Sequence, residues 1–275
     1  MAFTIVGDAA VISGNCSNSR KAAVFTGGNT DDSYSTNALA VVMAGTHTQG
    51  TITAWINTSD ITSTGSIFSI NDADVVEFMD LYVAAGKVGA AMTDATVARW
   101  ATATTAVVLT AHKWHHIALV QNAERPRIYI DGIEAACTDT TTTALTEWTG
   151  VLDGVDKGYI GAASIGGAGA IGDEFVGGIS DVKVYSTALT AAEILADYKG
   201  THKTTGCLAW YKMEDLLDSA TGAGTYSLTA NSDVYLTPTY NEFISLVRKF
   251  GAVVADTAGF TENQGRMSVL LINAA

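Results

Sequence analysis

Residues 113–132 constrain the fold more than any other stretch. Residues 113–120, holding Trp114, His115, His116, Ile117, Leu119 and Val120, and residues 127–130, Arg-Ile-Tyr-Ile, are two runs of β-forming side chains. They flank the polar link 122–126, and the second run stops at Asp131 and Gly132. An Asp-Gly pair accepts positive φ at both positions, so it closes β-hairpins. The spacing predicts two antiparallel strands.

Similar runs recur along the chain. Residues 50–56 (with Trp55) and 65–69 read as strands, 81–83 with 86–88 as a hairpin, and 158–161 and 175–185 as later strands. Thr190 and Glu193 have capping-box spacing, Ile194, Leu195 and Tyr198 supply apolar contacts, and Gly200 follows, which predicts a short helix over 190–198. In this order, over roughly residues 23–200, the segments resemble the laminin-G-like, concanavalin A-like jelly-roll domains. The resemblance implies an all-β, two-sheet antiparallel jelly-roll sandwich with one short helix. Trp114, Ile117, Leu119, Ile128, Ile130 and Val184 are expected in its core. That family is built to display a surface and bind; only some relatives catalyse.

Composition narrows the function. Of 275 residues 48% are apolar, enough for a sizeable core, and 27 Gly against 2 Pro suits many short strands joined by tight turns. A net charge of −13 disfavours nucleic acid, whose phosphates repel it. No apolar run is long enough for a membrane-spanning helix. The N-terminal residues lack the basic and long apolar regions of a signal peptide. Cys16, Cys137 and Cys207 have no CxxC spacing and read as small buried apolar residues.

The chain divides into a lead-in (1–22), a jelly roll (23–237) and a C-terminal extension (238–275). Residues 206–237, with Trp210, Met213 and an Asp218-Ser219 turn, resemble the strand that usually opens such domains. Two explanations stand: a circular permutation that closes the sheet from the far end, or the start of a second copy. In the extension, Phe243, Leu246, Val247 and Phe250 fall at i, i+3, i+4 and i+7, a helical apolar stripe that needs a surface to dock on. Met267 to Ile272 reads as a strand within a small helix–hairpin unit.

Candidate chemistry is sparse. His112, His115 and His116 invite a metal, but adjacent strand residues point to opposite faces. Asp72 with Asp74, Asp173 with Glu174, and Glu214 with Asp215 do not form the alternating carboxylate array of jelly-roll glycosidases, so no catalytic residue is assigned. The resemblance puts calcium within reach of Asp181 and Asp218, although Ser180 stands where the family carries a second Asp. Trp100 and Trp148 match no core motif and sit in polar surroundings; with Tyr34, beside Asp31 and Asp32, they are the expected glycan contacts. The expected function is a non-enzymatic binding or display module, taking glycans or partner subunits. A purely structural spacer is the alternative, and a diverged glycoside hydrolase a more distant one. The expected setting is a virion surface, as a phage decoration, fibre or adhesion subunit assembled from copies of itself.

Overall fold

The computed structural model describes residues 21–26, 32–164, 166, 170–213, 216–220, 226–231 and 234–236. In chain order the elements are β1 (Ala23–Phe25), β2 (Ser33–Ser35), α1 (Asn37–Met43), β3 (Gly50–Thr58), β4 (Gly65–Asn71), β5 (Phe78–Ala84), β6 (Lys87–Asp94), β7 (Val97–Thr104) and β8 (His115–Gln121). They continue with β9 (Arg127–Ile130), β10 (Ile133–Glu134), β11 (Cys137–Thr141), β12 (Lys157–Ile160), β13 (Gly177–Tyr185), α2 (Ala191–Tyr198), β14 (Cys207–Tyr211), β15 (Thr229–Asn231) and β16 (Tyr235–Leu236).

The strands make two antiparallel sheets, a jelly-roll sandwich. The first runs β10-β9-β8-β3-β13-β1-β16, with β14 also beside β13; the second runs β11-β7-β6-β5-β4-β12-β2-β15. Side chains alternate across each strand. Ile52 and Ile56 (β3), Ile117 and Leu119 (β8), and Ile179 and Val184 (β13) therefore meet Phe68 and Ile70 (β4), Met79 and Leu81 (β5) and Met92 (β6) in one buried cluster. Of the expected core, Ile117, Leu119, Ile128 and Val184 lie in that cluster, Ile130 is partly buried against it, and Trp114 is buried outside it.

The hairpin of 113–132 is β8 and β9, with Asp131 and Gly132 both at positive φ, 52° and 82°. The predicted helix is α2, and its capping box is complete: the Thr190 hydroxyl accepts from the Glu193 amide while the Glu193 carboxylate accepts from the Thr190 amide. A second helix, α1, was not anticipated. Its seven residues carry no side-chain cap, so the helix is held by packing: Leu39, Ala40 and Met43 are buried.

β13 organises the first sheet. It pairs with β3 along one side. On the other, Gly177–Ile179 face β1, whereas residues 182–185 face β14. The change of partner falls at a bulge between Ser180 and Lys183, where Asp181 takes a φ of 54°. One strand thus accepts chain from both ends of the sequence, because a bulge lets it turn from one neighbour to the next.

Candidate functional site

The outer face of the second sheet holds the most distinctive surface. On β5, Met79, Leu81 and Val83 enter the core, so Phe78, Asp80 and Tyr82 point away from it. Across the strands, Tyr82 sits opposite Gly89 on β6, which sits opposite Ala103 on β7. In the next row Tyr159, Ser69, Asp80, Ala91 and Ala101 follow one another across five strands. The result is a floor of small residues, Gly89, Ala91, Ala101 and Ala103, bordered by the Tyr82 and Phe78 rings.

Gly89 is required there. A Cβ at that position would lie 2.6–2.7 Å from the Tyr82 ring and hydroxyl, so the phenol rests on the bare backbone. Tyr82 remains half-exposed, and burial, with the nearby Asp80 charge adding to it, pushes its hydroxyl pKa up. At the end of the face Arg99 is half-exposed and ion-paired with Asp94 and Glu147.

Asp80 is the unusual group. It is only 4% exposed, and Ser66 Oγ donates to its Oδ1 at 2.6 Å. Burial, the largest influence, and the Asp173 carboxylate raise its pKa to about 7 against the opposing Ser66 hydrogen bond. It is the acid on this face that holds its proton near neutrality.

The structure places the expected glycan contacts elsewhere, in the interior. Trp100 and Trp148 are 0% and 2% exposed. Trp100 Nε1 donates to the Glu147 carbonyl at 3.0 Å. Trp148 lies over Gly50, where a Cβ would come within 2.4 Å of its indole nitrogen. Tyr34 is 1% exposed and meets Phe25 edge-on at 6.0 Å; burial pushes its hydroxyl pKa up to about 12. No sugar ring reaches any of these three without opening the core. Their polar neighbours in sequence suggested a surface, but all three side chains turn into the core, and the Glu147 carbonyl beside Trp148 accepts the Trp100 indole N–H.

Asp181 and Asp218 both hold Trp210. The Trp210 indole N–H donates to Asp181 Oδ1, and its backbone N–H donates to Asp218 Oδ1 at 2.8 Å. Asp181 Oδ2 also meets the Lys183 ammonium at 2.7 Å, and Asp218 Oδ1 takes the Ala220 amide at 2.8 Å. A calcium ion needs six to eight free oxygens, and here the oxygens face donors and a cation. Among the described residues no three His, Cys, Asp or Glu side chains cluster in a ligand arrangement. The pair does not fit a calcium site. The histidines also part company, as strand alternation requires: His115 Nδ1 lies 2.9 Å from Asp131 Oδ2, and His116 Nε2 lies 3.1 Å from Asp197 Oδ2 beneath α2. Phe243, Leu246, Val247 and Phe250 lie outside the described residues.

The order of the strands and the alternation just described agree with an independent likeness of sequence. The profile of the concanavalin A-like lectin/glucanases superfamily matches residues 27–195. The chain belongs to that superfamily. Among solved structures, this superfamily member is similar to a CBM40 module of a Ruminococcus gnavus IT-sialidase bound to α2,3-sialyllactose. That match has 18% identity and a TM-score of 0.52, covering 66% of this chain and 100% of the module. It is also similar to a heptameric SAP-like pentraxin from Limulus polyphemus, with 16% identity and a TM-score of 0.54 over 80% of this chain and 96% of that one. A leech intramolecular trans-sialidase matches at 21% identity and a TM-score of 0.52, covering 67% of this chain but 28% of the enzyme. At these identities the likeness is one of fold. No curated protein sequence matches the chain.

Proposed function

We propose that this superfamily member is a non-enzymatic module that binds glycans on the outer face of its second sheet. The observation that carries the reading is the Tyr82 phenol lying across Gly89 beside a floor of alanines, with polar groups along one border. A flat apolar floor with an aromatic ring and few polar groups suits the mixed apolar and hydroxylated faces of a sugar. The CBM40 module, solved with sialyllactose, adds support from a similar fold. The non-enzymatic part rests on Asp80, which is buried with its Oδ1 engaged by the Ser66 hydroxyl and so does not offer one of the two accessible carboxyl groups that glycoside hydrolysis uses.

A glycan array followed by calorimetry tests the reading. Wild-type protein is expected to bind at least one glycan class, and Tyr82→Ala and Gly89→Val to weaken that binding about tenfold or more, each 1.4 kcal/mol being one decade. A blank array overturns it, as does undiminished binding by both variants. Release of reducing sugar that depends on Asp80 or Asp173 overturns the non-enzymatic part.

The finer reading, a module displayed on a virion by copies of the same subunit, rests on the apolar stripe of Phe243, Leu246, Val247 and Phe250. Deleting residues 239–275 is then expected to abolish assembly while leaving the sandwich folded; loss of the fold itself overturns it.

A further inference from the structure

Residues 173–175 lie against the start of β4 in the second sheet. The Ser66 amide donates to the Asp173 carbonyl at 2.7 Å. A Cβ on Gly65 would lie 3.0 Å from the Phe175 Cα and 3.2 Å from the Glu174 carbonyl, so residues 173–175 are seated directly on the start of β4. Ser66 therefore has two tasks: its amide holds this segment, and its hydroxyl holds Asp80. It is also the cross-strand partner of Tyr82. Asp173 sits in the left-handed region at φ 50°, which aspartate tolerates better than most non-glycine residues.

The surroundings of Asp80 suit a carboxylic acid and do not suit a carboxylate. The titratable groups facing it are Tyr82 on its own strand, Tyr159 across Ser69, and Asp173 with its neighbour Glu174 from the seated segment; β6 presents Gly89 and Ala91. None of the four is a cation. A buried charge without a counter-ion is costly, and a second acid close by adds repulsion. The neighbouring strands β4 and β6 are fixed by ladder bonds on both sides. Asp173 is held to β4 by the Ser66 bond, whereas Phe175 is anchored in the core, edge-on to Phe25 at 6.3 Å and with its amide on the Gly161 carbonyl at 2.8 Å. Asp173 and Glu174, partly exposed beside that anchor, are the part that can yield.

We propose that Asp80 is a proton-controlled pin for Asp173 and Glu174: protonated, it lets the two residues seat on Ser66 and Gly65, and ionised, it drives them off while Phe175 stays in the core. The consequence for binding rests on the site's placement at the Tyr82 face, since Ser66 is the residue next to that ring. The face would then be presented in one form in mildly acidic surroundings and in another in alkaline ones. The pin itself is testable without any sugar.

The test is amide hydrogen exchange at Ser66, corrected for the intrinsic pH dependence, on the full chain at about pH 5.5 and about pH 8.5. Protection is expected to fall about tenfold or more in wild-type protein and to stay level in Asp80→Asn, which keeps the shape without the charge. Level protection in wild-type protein, or the same fall in Asp80→Asn, overturns the proposal. Should Asp80→Asn fail to fold, the side-chain carboxyl carbon of Asp80 is followed by NMR in wild-type protein. A midpoint near neutrality that coincides with the Ser66 transition sustains the pin, and a midpoint in the ordinary carboxylate range overturns it. A blank glycan array leaves this result intact, so the two readings fail separately.

Discussion

Trp100 and Trp148 lie stacked in parallel inside the sandwich, 6.3 Å between ring centroids and 2° between planes. One comes from β7, next to the edge of the second sheet, and the other from the turn before residues 149–151, so the pair ties a long connection to the core. Trp100→Ala is expected to cost about 3–5 kcal/mol, the range for emptying a large aromatic site. Chemical denaturation measures it. A loss below 1 kcal/mol would mean that the core closes over the gap.

Asp197 fastens α2 to the first sheet. Its carboxylate accepts from Thr53 Oγ1 at 2.9 Å, lies 3.0 Å from the Lys183 ammonium and 3.1 Å from His116 Nε2, and the residue is 2% exposed. Asp197→Ala is expected to cost about 3–5 kcal/mol, because Lys183 is left buried with a single carboxylate, Asp181. Paired unfolding curves of wild-type and Asp197→Ala protein decide the point.

The same residue sets an acid limit. Burial opposes its ionisation most strongly, but the His116 hydrogen bond and the Lys183 charge outweigh it and hold its pKa well below the usual carboxylate range. A depressed folded-state pKa stabilises above the unfolded value, about 4, and that stability is lost as pH falls below it. Thermal melts are expected to decline below about pH 4 in wild-type protein, and less steeply in Asp197→Asn.

Asp80 acts with the opposite sign. Its folded-state pKa, about 7, lies above the unfolded value, so the folded protein keeps a proton that the unfolded chain releases. Its contribution is complete below the unfolded value and is lost as pH rises to about 7. The loss is on the order of a few kcal/mol. Stability of Asp80→Asn, measured by denaturant between about pH 4 and pH 8, is expected to lack this decline.

Thr190→Ala is expected to cost about 1 kcal/mol by removing one half of the α2 capping box. A fall of that size in the denaturant midpoint, with an unchanged slope, is the readout.

The class of fold, most of the strands and α2 were legible in the amino-acid sequence. Those signals are local: β-forming runs with Gly, Asn and Asp turns, the Asp131-Gly132 hairpin, and Thr190 three residues before Glu193. The sequence also separated His115 from His116, because a period of two needs no partner strand to be known. It missed α1, whose seven residues are held by Leu39, Ala40 and Met43 against the core and not by any cap. The alternation that exposes Tyr82 was visible in Leu81-Tyr82-Val83, but which face meets the other sheet was not. Only the packed fold shows that Gly89 lies under Tyr82, that Trp100, Trp148 and Tyr34 face inward, and that Asp181 and Asp218, on either side of Trp210 in sequence, both grip it. It also decided where residues 207–211 belong, beside residues 182–185 of β13 beyond the Asp181 bulge. The physical reason is common to all of these. Strand pairing joins residues far apart in sequence through identical backbone groups, so the partner is chosen by the fit of whole faces and not by any signal a single segment carries.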